Sequence, residues 1–163
     1  AKMLNCYLKE KYNCSADYLE TVSSNCGNNI TYLLKLITQK KIDFNSSILI
    51  QDATMQRRMD ATLRKFVSKQ KCILNYAAYI AQVTKVNGQL TFKDSIHGMW
   101  SIQKYISLLL GEIVRLKDDV NGYGPKGKNF IAHVDLPQEV VSAFDLMYKE
   151  NPFAVRKANS AFK

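Results

Sequence analysis

Between residues 52 and 86 the apolar side chains recur at the spacing of an α-helix. Placed at about 100° per residue, Met55, Met59, Leu63, Phe66, Ile73, Ala77, Ile80 and Ala81 fall on one arc. Arg57, Arg64 and Lys71 form a row on the opposite side, and Arg58, Lys65 and Lys69 form a second row beside it. The pattern predicts one long helix with a buried face and two parallel basic tracks. Asp52 suits its N-cap, and Asn87-Gly88 is a strong stop.

A second helix is expected over residues 95–117, with Met99, Ile102, Ile106, Leu109, Ile113 and Leu116 as its stripe. Trp100, Tyr105 and Leu110 widen that stripe almost all round, which places the helix at the centre of a bundle. A third begins near Pro137, buries Val140, Val141, Phe144, Met147 and Tyr148, and ends at Asn151-Pro152. Residues 30–41 read as a further helix, extended back through residues 18–22 or interrupted at Gly27. Ser46-Ser47-Ile48-Leu49-Ile50 has the composition of a strand, but no partner segment is evident, so it reads as the lead-in to the long helix. The fold class expected is all-α: an up-and-down bundle of about five helices in a single domain spanning residues 1–163. Within it, residues 1–27 form a divergent Cys-rich segment and residues 153–163 a basic tail.

With 163 residues the chain is long enough to fold on a core of its own, without a metal or disulfide. Its start, Ala1-Lys2-Met3-Leu4, is not that of a signal peptide, so a leader, if one existed, is expected to have been removed. The net charge is +9, and its position matters more than its size. Residues 35–85 carry ten bases against three acids (Asp43, Asp52 and Asp60), or +7. Such a concentration attracts polyanions: nucleic acid, anionic membrane or an acidic glycoprotein. Lys126 and Lys128, in a loop with three glycines, and Arg156 and Lys157 near the end are secondary basic sites.

Cys6, Cys14, Cys26 and Cys72 lack the close pair of a zinc site and are candidate disulfide partners, in any of three connectivities. Asn13, Asn29 and Asn45 each begin a glycosylation sequon. Together these features point to a secreted protein. The loop Gly122-Tyr123-Gly124-Pro125 lacks the strand and helix that a phosphate-binding loop requires. His97 and His133 sit beside no recognisable nucleophile. The sequence therefore offers no catalytic residue, no metal site and no cofactor.

The chain resembles the abalone egg-lysin family, which comprises sperm lysin and its fusogenic paralogue. Gly27 and Leu36 open the match. It runs without gaps over Phe66-Val67 through Ala77, Tyr79 and Lys85, resumes at Leu110-Gly111-Glu112-Ile113 with Arg115, and closes on Lys128-Asn129-Phe130-Ile131, Leu136-Pro137, Met147, Pro152 and Val155-Arg156-Lys157. The resemblance implies an all-helical, secreted protein of the sperm acrosomal vesicle, not an enzyme, in which an apolar patch makes a homodimer. It further implies that the basic tracks Arg57/Arg64/Lys71 and Arg58/Lys65/Lys69 engage an acidic egg-envelope glycoprotein and part the envelope fibres without cutting them.

A second reading, from the fusogenic paralogue, is action on the anionic egg plasma membrane. A third rests on a different similarity. Asp52-Ala53-Thr54-Met55-Gln56-Arg57-Arg58 and the ending Arg156-Lys157-Ala158-Asn159-Ser160-Ala161-Phe162-Lys163 resemble two short stretches of the coronavirus RNA-polymerase cofactor. That similarity implies a nucleic-acid-binding replication cofactor with reduced thiols.

Overall fold

The segment expected to be one long helix, residues 52–86, instead holds one short helix and two strands, the second of which opens a hairpin. The computed structural model describes residues 1–156. They run α1 (Lys2–Tyr12), α2 (Cys26–Gln39), β1 (Ser46–Gln51), α3 (Gln56–Phe66), β2 (Cys72–Ala77), β3 (Val83–Val86), β4 (Gln89–Phe92), α4 (Ile102–Leu116), α5 (Gln138–Glu150) and a 3-10 turn (Pro152–Ala154). The all-α expectation is thus corrected: among the described residues five helices accompany two two-stranded sheets, a mixed α/β architecture. The chain divides into two compact units, the first ending at Phe44 and the second starting at Asn45.

The helical projection failed for local reasons. Helix α3 stops at Phe66 because Val67 turns extended (φ −102°, ψ 152°) and residues 68–71 close a turn through the Lys71 N–H and the Ser68 carbonyl. Beyond it, Ile73 and Ala77 fit a period of 3.6, but Leu74 and Tyr76 between them are just as apolar and share one face of a strand at a period of two. Asn87-Gly88 does not cap a helix. It forms the two-residue loop of the β3–β4 hairpin, with φ of 49° and 81° as a type I′ turn requires.

Strands β1 and β2 pair in parallel, from Ser46 opposite Cys72 to Gln51 opposite Ala77, so α3 is the crossover between them. The helix covers the face bearing Leu49 and Ile73, and Gln56 seals it by donating to the Leu49 carbonyl and the Asn75 side chain. The opposite face is bare: Ile48, Ile50, Leu74 and Tyr76 are 55–65% exposed. Parallel sheets are ordinarily covered on both faces, which makes this an unusual surface.

Helix α3 is buried almost all round because α4 packs on its other side. The contact is charged. Buried Arg58 donates through Nε and Nη2 to the carboxylate of buried Glu112, the latter bond at 2.9 Å. Arg115, one turn on, lies 3.6 Å from the same carboxylate and donates to the Gly111 carbonyl at 2.6 Å. Met59, Leu63, Tyr105 and Leu108 are buried on the same two helices, and Ala61, Leu116, Ile131 and Val134 form a smaller apolar cluster. Helix α5 begins where Pro137 predicts and buries Phe144.

In the first unit no residue of α1 is buried, and α2 starts with a reciprocal capping box between Asn25 and Asn28. Among the described residues no disulfide joins Cys6, Cys14, Cys26 or Cys72. Asn13 ends α1 in the left-handed region, Asn29 lies in the first turn of α2, and Asn45 immediately precedes β1.

Replacing Glu112 with Ala leaves two buried arginines uncompensated. Denaturant unfolding should show a loss of about 3–5 kcal/mol, whereas Arg57→Ala, on the exposed side of the same helix, should stay within about 0.5 kcal/mol.

Candidate functional site

The structure separates the six residues of the expected basic tracks. Arg57 is exposed, while Arg58 is committed to Glu112 inside the core and cannot meet a ligand. Arg64 folds back on Asp60 at 2.9 Å and reaches the Ile73 carbonyl, so much of its charge is compensated. Lys69 and Lys71 are not helical; they lie in the link to β2, Lys69 exposed and Lys71 half-buried. The two rows therefore do not form. Arg156 is exposed at the end of the described residues, with its carbonyl accepting from Arg115, and Lys157 lies outside them.

One of the six leads to a different surface. Lys65, in the last turn of α3, donates its ammonium to both the carbonyl and the side-chain oxygen of Asn129, the former at 2.6 Å. Asn129 sits in the left-handed region (φ 53°), a conformation asparagine tolerates better than most residues. This latch joins the end of α3 to the glycine loop at residues 118–131. Lys65 is thereby tied to the loop that carries Lys126 and Lys128.

The loop is held rigidly. The backbone N–H groups of Asn121, Gly122, Tyr123, Gly124, Lys126, Gly127, Lys128, Asn129, Phe130 and Ile131 all donate to acceptors of the protein itself. Every N–H group from Asn121 to Ile131 is thus engaged, Pro125 having none, so an anion along this stretch must be held by side chains. The glycines are required by close approach rather than by positive φ. A Cβ at Gly122 would stand 1.8 Å from the Lys117 carbonyl oxygen, and one at Gly127 would stand 2.2 Å from that of Asp119.

Aromatic rings interleave with these cations. Phe130 is 54% exposed and packs edge-on against Tyr123, their centroids 5.2 Å apart. The Lys128 ammonium lies 5.2 Å from the centre of the Tyr123 ring. Phe66, beside Lys65, is half exposed. Tyr123, Asn129 and Phe130 were given no binding role in the sequence, where Asn129 and Phe130 entered only through the egg-lysin resemblance and Lys126 and Lys128 alone of this loop were binding candidates. The alternation Tyr123, Lys126, Lys128, Phe130 was the available signal.

At the base of the loop Asp118 accepts the Lys126 N–H at 2.7 Å and contacts His133 Nδ1 at 2.6 Å, while His133 Nε2 contacts Asp135 at 3.0 Å. The Lys126 amide holds the Asp118 carboxyl below its ordinary range, against the opposing effect of desolvation, and His133 adds to the lowering. The bond to Asp118, then that to Asp135, raises His133 above the ordinary histidine value. With both ring nitrogens engaged, His133 has no lone pair to offer as a general base.

Asp52 is not the helix cap either. It accepts the Thr54 N–H and hydroxyl, the Tyr79 hydroxyl and the Trp100 indole N–H. Desolvation pushes its carboxyl up, but these donors together outweigh it and hold the group below its usual value. Tyr79 is raised, first by burial and then by its bond to Asp52. This cluster ties the turn before α3 to residues 79 and 100.

Among the described residues no group of three His, Cys, Asp or Glu side chains could hold a metal ion, and no helix is long and apolar enough to cross a membrane. No known protein-family model matches the chain.

Trp100 is the sole tryptophan and reports on Asp52 directly. Because the folded carboxyl is lowered, its contribution to stability is present above the unfolded value and disappears as the pH falls through the folded one. Indole emission should therefore hold steady down to about pH 4 and change below it, and Asp52→Asn should remove that transition.

Proposed function

We propose that the protein is a non-enzymatic nucleic-acid-binding protein, an accessory factor of viral RNA replication that binds single-stranded RNA. The observation that carries this reading is the Lys65–Asn129 latch, which ties Lys65, next in sequence to exposed Phe66, to the loop carrying Lys126, Lys128 and exposed Phe130. Lysines supply an electrostatic track for phosphates, and exposed rings supply faces on which unpaired bases stack. Eighteen of the twenty-three basic residues are lysine, which suits backbone attraction better than the bidentate reading of base edges.

The similarity of residues 52–58 to the coronavirus polymerase cofactor adds weight, because those residues organise the fold. Asp52 gathers Thr54, Tyr79 and Trp100, Gln56 spans both strands of the parallel pair, and Arg58 makes the buried ion pair. Apart from Arg156, the second similar stretch lies outside the described residues. The egg-lysin reading leaned on a helix continuing through residue 85. There its gap-free match falls on strands β2 and β3, and the two basic rows meant for an egg-coat glycoprotein are dispersed.

Fluorescence anisotropy with an unstructured RNA oligonucleotide tests the proposal. Lys126→Glu with Lys128→Glu should weaken binding at least tenfold at about 0.1 M salt and flatten the log–log salt slope by about 1.4. Phe130→Ala should cost roughly 1–3 kcal/mol of RNA affinity while leaving heparin binding unchanged. Equal losses for RNA and heparin would assign the surface to acidic polysaccharides or glycoproteins instead. RNA affinity unaffected by either change would overturn the reading.

A further inference from the structure

We propose that His133 is a proton-operated clasp on the glycine loop, closing it when the imidazole is charged and loosening it when the proton leaves. The geometry requires the charge. A neutral imidazole has one N–H, yet both ring nitrogens of His133 stand at hydrogen-bond distance from carboxylate oxygens, Nδ1 at 2.6 Å from Asp118 and Nε2 at 3.0 Å from Asp135. Only imidazolium can donate to both, since a carboxylate facing the bare nitrogen would oppose its lone pair.

The clasp reaches the loop through Asp118. The carboxylate oxygen Oδ1 accepts the Lys126 N–H, and Oδ2 meets His133. Gly124 is packed so closely on Asp118 that a Cβ there would lie 2.5 Å from Oδ1. Among the described residues, Asp118 from the end of α4 and Asp135 beyond the loop are the charged groups acting on His133, and Lys126 acts on Asp118 in turn. The first two raise the imidazolium's pKa. The clasp is therefore complete below the ordinary histidine value of about 6.5 and drops to a single bond as the pH rises through the higher folded value, because a neutral imidazole can donate to only one of the two carboxylates.

The loop so held carries Lys126, Lys128 and Phe130. Its consequence for ligand binding rests on the nucleic-acid reading above: RNA affinity should fall across the same interval in which the clasp opens. The clasp itself does not depend on that reading.

Hydrogen exchange of residues 119–131, measured without nucleic acid from pH 5.5 to 8.5 and corrected for intrinsic exchange, isolates the clasp. Protection of these amides should drop several-fold through one titration in the native protein. The drop should be absent in His133→Gln and in Asp118→Asn, and present in His97→Gln, which alters the other histidine. The imidazole carbon and nitrogen shifts of His133 should titrate above about 6.5. A midpoint at or below that value, or a step in protection that survives His133→Gln, would overturn the proposal. RNA anisotropy over the same range separates the two ideas. A step in exchange with no RNA binding at any pH keeps the clasp and removes the nucleic-acid reading. A step in RNA affinity equal in native protein and His133→Gln removes the coupling.

Discussion

Arg58 and Glu112 hold together two elements that hydrophobic contact alone would join loosely. Helix α3 is eleven residues long and places Gln56, Arg58, Asp60 and Thr62 among its buried positions, so it brings unusually little apolar area to the core. A buried ion pair seldom adds much net stability, because desolvating two charges offsets their attraction. What it supplies here is register. The guanidinium fits the carboxylate through two donors, and sliding α3 by one residue along α4 would leave charges buried without partners. The parallel strands flank α3, and the loop carrying Lys126 and Lys128 leaves the end of α4. The positions of the sheet and of the candidate site both follow from that one contact.

This also explains which parts of the fold could be read in the sequence. Helix α5 was legible from Pro137, from the apolar spacing through Phe144 and from Asn151-Pro152. The core of α2 was legible for similar reasons. Helix α4 was legible over residues 102–116 but not over residues 95–101, so Met99 and Trp100 lie before it, and its buried face was misjudged. Ile106, Leu109 and Ile113 are only half-buried, whereas Glu112 and Arg115 are buried with Tyr105 and Leu108. A projection that sends charge outward cannot find a helix whose inner face is charged. Residues 67–92 were opaque for a different reason. A selected subset of apolar side chains satisfied the helical period, although the full set is too continuous to favour helix over strand, and Asn-Gly serves helix ends and hairpins equally well.

The candidate site was legible as ingredients and not as an arrangement. Lys65, Lys69, Lys126 and Lys128 stood out by charge. The tie between Lys65 and the loop of Lys126 and Lys128 depends on the left-handed Asn129, whose carbonyl and side chain are turned to meet Lys65. No periodicity encodes a contact spanning 64 residues of chain. Arg58 showed the opposite failure: its charge advertised a surface role, while its partner, 54 residues away, claimed it for the interior.

The uncovered face of the parallel pair has a colloidal consequence. Ile48, Ile50, Leu74 and Tyr76 form a contiguous apolar patch on a molecule whose copies each carry +9. In dilute buffer mutual repulsion keeps such patches apart. Salt shortens the reach of that repulsion to about 3 Å at 1 M and leaves apolar attraction intact. The purified protein should accordingly remain dispersed at low ionic strength and cluster as salt is added, the same change that weakens the attraction of its positive charge for any polyanion.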